Sequence, residues 1–430
     1  MPKKTILQLA LDLPETDRAI AIASEAANSI DWVEAGTVLI KSEGMNAVRA
    51  LRKKFPRKLI LADLKTFDTG ELEAELAFKA GANIVTVLAT ADSSTISEAV
   101  KAAKRYKGKV MVDVMNASIS RVKEVQSLGI DYLCLHVGID MQNKGHTVFD
   151  RLHEIKKIAN VPIACAGGLT SETAPLAAKQ GAQIIIIGGA ITKAANAGKA
   201  AAQIRRALKL GKPFASGNFA KFNEKNIGKA FARVSAPNLS DAMHRGGQML
   251  GIKSIVPGAK MFGRAFTVSC APGDWAKPVE AIDEAKKGDV IVIDAGGKEI
   301  ACWGGLASAS ARRVGIAGVV IDGGARDIDE IRKLKFPAFA RHLTPAAGDP
   351  KGAGSMQKPI VCGKVLVKPG DYIIGDDSGV VVVPREKAAE IANRAIDVNG
   401  REGRIKAEIA KGSTLSKVLK LKKWELVHSK

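Results

Sequence analysis

The 430-residue chain has little with which to cross a membrane, cross-link itself or stack on bases. No apolar run approaches the ~18 residues that span a bilayer, so a transmembrane helix is not expected. The N-terminal stretch MPKKTILQLALDLP is interrupted by Asp12 and followed by no small-residue cleavage site, so it does not read as a signal peptide. Five cysteines (Cys134, Cys165, Cys270, Cys302, Cys362) lie scattered with no C-x-x-C, which argues against a zinc cage or a disulfide framework. Reduced thiols in a cytoplasmic protein are the expectation. Aromatic residues make up only 4% of the chain, too few for a base-stacking surface. A strand–G-x-G-x-G–helix unit of the kind that binds S-adenosylmethionine is also missing.

What is present describes a globular protein. Hydrophobic residues make up 46% and charged residues 25%, enough to bury a core. The length predicts two domains. The formal charge of +21 admits nucleic acid, an anionic surface or small phosphorylated substrates as partners. Its distribution narrows the choice: residues 210–233 carry +4 and residues 401–430 carry +6, together ten of the +21.

Residues 1–209 alternate short β-branched runs with amphipathic stretches. The runs are TILQLALD, DWVEAG, KLILADLK, NIVTVLA, KVMVDVMN, YLCLHVG, PIACAGG and QIIIIGGA. Segments such as TGELEAELAFKAGA and SSTISEAVKAAKRYKG, between them, place apolar residues at i, i+3 and i+4. Several end at glycine (Gly81, Gly108, Gly129, Gly181), a common helix C-terminus. Eight such units predict a closed (β/α)₈ TIM barrel, with an open doubly wound sheet as the alternative.

Polar residues gather at the strands' C-terminal ends, where barrel active sites sit. Asp12 closes the first strand, Glu34 the second, Asp63 and Lys65 the third, Asp113 the fifth and His136 the sixth. Gly167–Gly168 and Gly188–Gly189 follow the last two strands, where backbone N–H groups suit a phosphate. The sharpest signal is D-x-K-x-x-D at Asp63, Lys65 and Asp68. Alternation puts Asp63 and Lys65 on one strand face, and Asp68 can reach its own site or a neighbouring subunit's. Such an array keeps an ammonium charged and placed to stabilise an anion formed during reaction. A surface salt-bridge cluster is the competing interpretation.

The runs LALD, EAGTVLIKSEG, ADLKTFDTG, NIVTVLATAD, VMVDVMN, HVGIDMQNKG, IACAGGLTSETAP and IIIIGGAIT resemble the 3-hexulose-6-phosphate synthase family, in the orotidine 5′-monophosphate decarboxylase suprafamily. HVGID, ending in Asp140, separates this branch from the keto-gulonate phosphate decarboxylases, which carry an Arg in that region. The resemblance implies a Mg²⁺-dependent aldol reaction between ribulose 5-phosphate and formaldehyde, giving arabino-hex-3-ulose 6-phosphate or running in reverse. It implies Glu34 and Asp63 as metal ligands, His136 as the acid/base at C1, and Lys65 as a stabiliser of the enediolate. It further implies Asp12 and Asp140 as substrate-binding residues and Gly168 and Gly189 as phosphate binders. Members are dimers in which the residue matching Asp68 enters the partner's site, so a homo-oligomer is expected.

Residues 210–222, LGKPFASGNFAKF, read as a linker. Longer, closer strands with few intervening helices follow over 223–400, predicting a β-rich α/β domain. Within it, GVVIDGGARDIDE sets Arg326, Asp327 and Glu330 after a buried-looking strand, Asp327 with Glu330 being placed to hold a metal, while Gly304–Gly305 opens a helix suited to an anion. NLSDAM, GRAFTV, DVIVIDAGG, WGGLASASA, GVVIDGGARD and GDDSGVVVVP resemble the regulators of ribonuclease E activity, whose fold the class II 4-hydroxy-4-methyl-2-oxoglutarate aldolases share. The aldolase pattern G-x20-R-D-x2-E/D is whole here, in Gly305, Arg326, Asp327 and Glu330. It implies chemistry on a 2-oxo acid with Mg²⁺ or Mn²⁺, Arg326 binding the carboxylate and Asp327 the ion. A non-catalytic module that binds a ribonuclease or nucleic acid is the alternative. Residues 401–430 form a basic, amphipathic tail, expected to be a solvated helix packed on its own oligomer.

Overall fold

The computed structural model describes residues 5–143, 145–215, 222–224, 226–419 and 421; part of the 210–222 linker and the last residues of the basic tail lie outside them. The chain divides into two compact units, residues 1–221 with 400–430, and residues 222–399. The tail after residue 400 thus belongs with the first unit rather than standing as a segment of its own.

The first unit is a closed barrel of eight parallel strands: β1 (Ile6–Leu11), β2 (Trp32–Ala35), β3 (Leu59–Thr66), β4 (Ile84–Leu88), β5 (Lys109–Asp113), β6 (Tyr132–His136), β7 (Ile163–Ala166) and β8 (Ile184–Ile187). Closure occurs at β1, where Gln8 registers with Trp32 on one side and Ile186 on the other. The open-sheet alternative is thereby excluded.

Alternation along each strand builds two cores. Outward residues such as Leu7, Leu9, Val33, Ile60 and Val112 pack under the helices. Inward residues Ala10, Trp32, Leu61, Ile84, Met111, Cys134, Ala164, Ile184 and Ile186 plug the interior. Two residues further along, the inward face turns polar: Trp32 is followed by Glu34, Leu61 by Asp63, Ile84 by Thr86, Met111 by Asp113, Cys134 by His136. An apolar floor with a polar layer on top follows directly from period two.

The second unit has a nine-stranded mixed sheet. Its long strand, Met261–Cys270, changes partner midway: Met261–Arg264 pair antiparallel with Tyr372–Gly375, and Ala265–Ser269 pair parallel with Val290–Asp294. Parallel pairing continues through Gly318–Ala325 to Ala338–Leu343. Helices Ala276–Glu284, Gly305–Val314 and Ile328–Leu334 make the crossovers, so the expectation of few helices is corrected. These helices are short, and the buried face of Gly305–Val314 is Gly305, Ser308 and Ala311, too small to leave a hydrophobic stripe in the sequence.

Candidate functional site

The polar layer of the barrel is a connected network. Asp63, nearly buried, accepts from Thr86 Oγ1 at 2.7 Å and from Thr37 Oγ1 at 2.8 Å. Lys65 Nζ donates to Asp63 Oδ2 at 2.8 Å and to Asp113 Oδ2 at 3.2 Å. The two residues converge by a different route from simple alternation. Lys65 has φ +49°, and the register with β4 shifts between Ala62 and Thr66. The Lys65 N–H turns to Thr86 Oγ1 at 3.0 Å, so one threonine hydroxyl orients both the lysine backbone and the aspartate. A left-handed lysine costs of order 1 kcal/mol or more, and such strain is retained where the surroundings over-determine it.

Asp113 completes the constellation and was legible in the sequence only as a strand end. Its Oδ2 is 3.0 Å from His136 Nδ1, and its Oδ1 accepts from the Met115 N–H at 3.0 Å. Burial alone would raise the Asp113 pKa, but the hydrogen bond and charge of His136, then Lys65 and the Met115 amide, hold it below the usual carboxylate range. An ionised Asp113 only accepts, so His136 carries its proton on Nδ1 and leaves Nε2 as the basic nitrogen. Lys65 shows the complementary balance: burial would lower its pKa, but Asp63 and Asp113 raise it, and the ammonium is permanent.

Glu34 is the counterweight. It is buried, and that burial, then Asp63 and Asp12, push its pKa well up, against the lowering effect of the Gln8 amide that donates to it. Asp12 is open to water in the barrel mouth but crowded by protein; that crowding and then Asp63 raise its pKa, while Lys65, His136 and Lys193 pull the other way. Three crowded carboxyls, Glu34, Asp63 and Asp12, with Lys65 already engaged, suit a hard divalent cation, whose charge would favour the ionised forms that crowding opposes at Glu34 and Asp12. Among the described residues no three His, Cys, Asp or Glu side chains form a ready-made cage. One or two carboxylates completed by water and substrate oxygens is how Mg²⁺ is commonly held, so the donor set fits it.

The rim glycines follow the last two strands. Gly167 and Gly168 have φ +111° and +67°, and a Cβ at Gly167 would fall 2.4 Å from the Val137 carbonyl oxygen. Gly188 precedes the short turn Gly189–Thr192, and Lys193 leans back over Gly189. Lys193, Gln8, Thr37 and Thr86 were not singled out in the sequence. Thr86 and Gln8 were recoverable from the inward alternation, Lys193 only from the loop's fold.

Two expected site residues stand apart. Asp68 is exposed, accepts from the Thr69 N–H at 2.7 Å and lines an open groove of about 830 Å³ with Phe67, Asp92 and Arg121. Within one chain the array around Lys65 is therefore Asp63–Lys65–Asp113, and Asp68 is no part of it. Asp140 is exposed at the start of the short helix Ile139–Asn143 after β6.

In the second unit, the Gly305 N–H donates to Asp327 Oδ2 at 3.1 Å at the head of helix Gly305–Val314. Arg326 Nε lies 3.6 Å from the same oxygen, with both side chains partly open to water. A Cβ at Gly304 would meet Asp327 Oδ2 at 2.6 Å, and one at Gly305 would meet Glu330 Oε2 at 2.1 Å. The two glycines are what allow both acids to approach the helix head. The structure thus brings together Gly305, Arg326, Asp327 and Glu330, 25 residues apart at the extremes.

Residues 5–204 match the family model described as orotidine 5′-phosphate decarboxylase/HUMPS family. The 3-hexulose-6-phosphate synthase of Mycobacterium gastri is 42% identical over 204 residues, spanning 47% of this chain and 99% of that protein. The chain belongs to this family. The Bacillus subtilis 3-hexulose-6-phosphate synthase is 41% identical over 47% of this chain and 98% of its own length. The solved 3-hexulose-6-phosphate synthase of Salmonella typhimurium aligns at 36% identity and a TM-score of 0.47, covering 48% of this chain and 99% of its own. Residues 236–382 match the RraA-like model, Aldolase/RraA. The family barrel is thus joined in one chain to an RraA-like unit. No helix among the described residues is long and apolar enough to cross a membrane.

Proposed function

We propose that the barrel is a 3-hexulose-6-phosphate synthase: a Mg²⁺-dependent aldehyde-lyase interconverting D-ribulose 5-phosphate plus formaldehyde with D-arabino-hex-3-ulose 6-phosphate. The observation that carries this reading is the Asp113–His136–Lys65 linkage beside the Glu34/Asp63 pair. It sets a basic imidazole nitrogen, a permanent cation and two carboxylates on one rim. Bound at Glu34 and Asp63, Mg²⁺ would supply Lewis-acid stabilisation of charge on the substrate's oxygens.

The chain's own residues do the rest. His136 Nε2 takes the C1 proton of ribulose 5-phosphate, and Asp113 steadies the imidazolium that results. The electron pair left behind delocalises towards C2, and the Lys65 ammonium stabilises the enediolate. C1 then bonds to the formaldehyde carbon as the C2 carbonyl re-forms, the formaldehyde π pair moves to its oxygen, and that oxygen takes the proton back from the His136 imidazolium. Asp12 receives substrate hydroxyls, Gly168, Gly189 and Lys193 hold the phosphate, and Asp68 serves the neighbouring subunit of a homo-oligomer.

His136→Ala in the full chain should lower formaldehyde-dependent consumption of ribulose 5-phosphate by at least ~10²-fold with the fold retained. Undiminished turnover would remove His136 from the mechanism.

For the second unit we propose metal-dependent cleavage of a 2-oxo acid aldol or decarboxylation of an oxo acid. Arg326 would bind the carboxylate, and Asp327 with Glu330 would hold Mg²⁺ or Mn²⁺. Support comes from the two glycines that let Asp327 bond the Gly305 amide and Glu330 approach the same helix head. Chelator-sensitive pyruvate release, lost in Asp327→Ala, is the expected result. Salt-dependent RNA or ribonuclease binding without such release would favour the regulatory alternative.

A further inference from the structure

The C-terminal segment 400–411 docks on the barrel around one buried cation, Arg404, with the more exposed Lys411 Nζ also donating to Glu25 Oε1 at 3.3 Å. Arg404 is 3% exposed. Its Nη1 and Nη2 donate to Glu25 Oε2 and Oε1, each at 3.1 Å, and its Nε donates to Glu408 Oε1 at 2.9 Å. Glu408 also accepts from Arg18 Nε at 3.1 Å, so Arg18 and Glu25, both on helix Thr16–Ala26, are each tied to the segment.

The network does not end at that helix. Glu25 Oε2 also accepts from the Ala197 N–H at 3.1 Å, and Arg404 Nη1 lies 3.5 Å from the Ala194 carbonyl oxygen. Ala194 and Ala197 close the loop that leaves β8, passes through the Gly189–Thr192 turn and Lys193, and enters helix Ala197–Leu210. A Cβ at Gly198 would sit 2.7 Å from the Glu25 carbonyl oxygen, so helix and loop are already in close register at this point. Burial would raise the Glu25 pKa, but the Arg404 hydrogen bonds and charge lower it, keeping Glu25 an anion that accepts from Ala197. A bidentate guanidinium also fixes which way that carboxylate faces.

We infer that Arg404 is a positioning residue for the barrel's phosphate loop. Acting through Glu25, it holds residues 188–197 so that Gly189 and Lys193 face the phosphate of the substrate. The inference rests on the phosphosugar reading of the barrel. Glu25, Ala194 and Ala197 lie within residues 5–204 matched to the family, whereas Arg404 and Glu408 lie outside them, so the clamping side chains come from this chain's C-terminal segment.

The test uses the full chain, with two readouts. The first is the split between KM for ribulose 5-phosphate and kcat in the synthase assay. The second is deuterium uptake over residues 188–197, which needs no turnover. Arg404→Ala should raise KM ~10-fold with kcat within about twofold, in the range typical of groups that orient a ligand-binding residue, and should raise uptake over 188–197. Arg404→Lys should recover part of both. Glu25→Gln should raise KM similarly, and the double variant should be no worse than the more affected single one, because the two act as a unit. Lys406→Ala, exposed on the same segment, should leave both readouts unchanged. Unchanged KM and unchanged uptake in Arg404→Ala would overturn the inference, as would a loss of melting temperature with neither readout moved. A wild-type chain without synthase turnover would instead overturn the reading of the barrel, and uptake over 188–197 would still decide whether Arg404 orders the loop.

Discussion

The two candidate sites are built on opposite terms. On the barrel rim the working groups are buried and mutually held: Asp113 is 2% exposed and Asp63 7%, and each has several named donors. In the second unit, Arg326 and Asp327 have side chains 47% and 39% exposed, joined by a single 3.6 Å ion pair. The difference lies in where each site gets its shape. The barrel draws its polar layer from strands that are already packed below it, so charge is held in low dielectric where one lysine dominates two carboxylates. The second unit places its acids against one helix head, in water, where the same charges interact weakly.

The largest expected effect is on the barrel. Lys65→Ala removes the cation between two buried carboxylates; synthase turnover should fall at least ~10³-fold, estimated from the loss of a main electrostatic stabiliser. Stability should fall by about 3 kcal/mol, as when one partner of a buried ion pair is removed. Denaturant melts and steady-state rates check both. If Lys65→Ala is no less stable than wild type, the contrast between the sites is wrong.

Asp113→Asn comes next. The isostere keeps the shape but can no longer fix His136 in the Nδ1–H form, so kcat should fall ~10²-fold or more, while KM stays near wild type. Its acid limb is a further readout. The folded-state pKa of Asp113 lies below its ordinary value of 3.8. Its contribution to stability is therefore complete above that value and is lost as the pH falls through the lower folded one. Stability measured downward from pH 5 should decline less steeply in Asp113→Asn than in wild type.

The smallest effect belongs to the second unit. Asp327→Asn should leave synthase turnover untouched and shift stability by no more than ~0.5 kcal/mol, as expected for an exposed group, while abolishing any 2-oxo acid activity. A stability loss matching that of Lys65→Ala would erase the distinction drawn above.

How much of this was readable beforehand differs by region for physical reasons. Eight strands and their polar ends follow from local pattern, because each strand carries its own alternation from floor to rim. Asp63, Lys65 and His136 were visible for the same reason. The partner of Lys65 was not: Asp113 lies 48 residues away and meets it only when the barrel closes. The left-handed turn at Lys65 has no glycine to announce it. In the second unit the crossover helices were faint because Gly305, Ser308 and Ala311 bury little apolar surface. The Arg404 clamp joins residues 379 apart, a separation at which no local pattern informs.

The measurement that bears most directly on the account is a steady-state assay of the intact chain with ribulose 5-phosphate and formaldehyde, stripped of metal and then supplied with Mg²⁺. Hexulose phosphate should form with Mg²⁺ and stop forming on chelation. Asp327→Asn should run at the wild-type rate. An intact, folded chain that forms no hexulose phosphate with Mg²⁺ present would contradict the account.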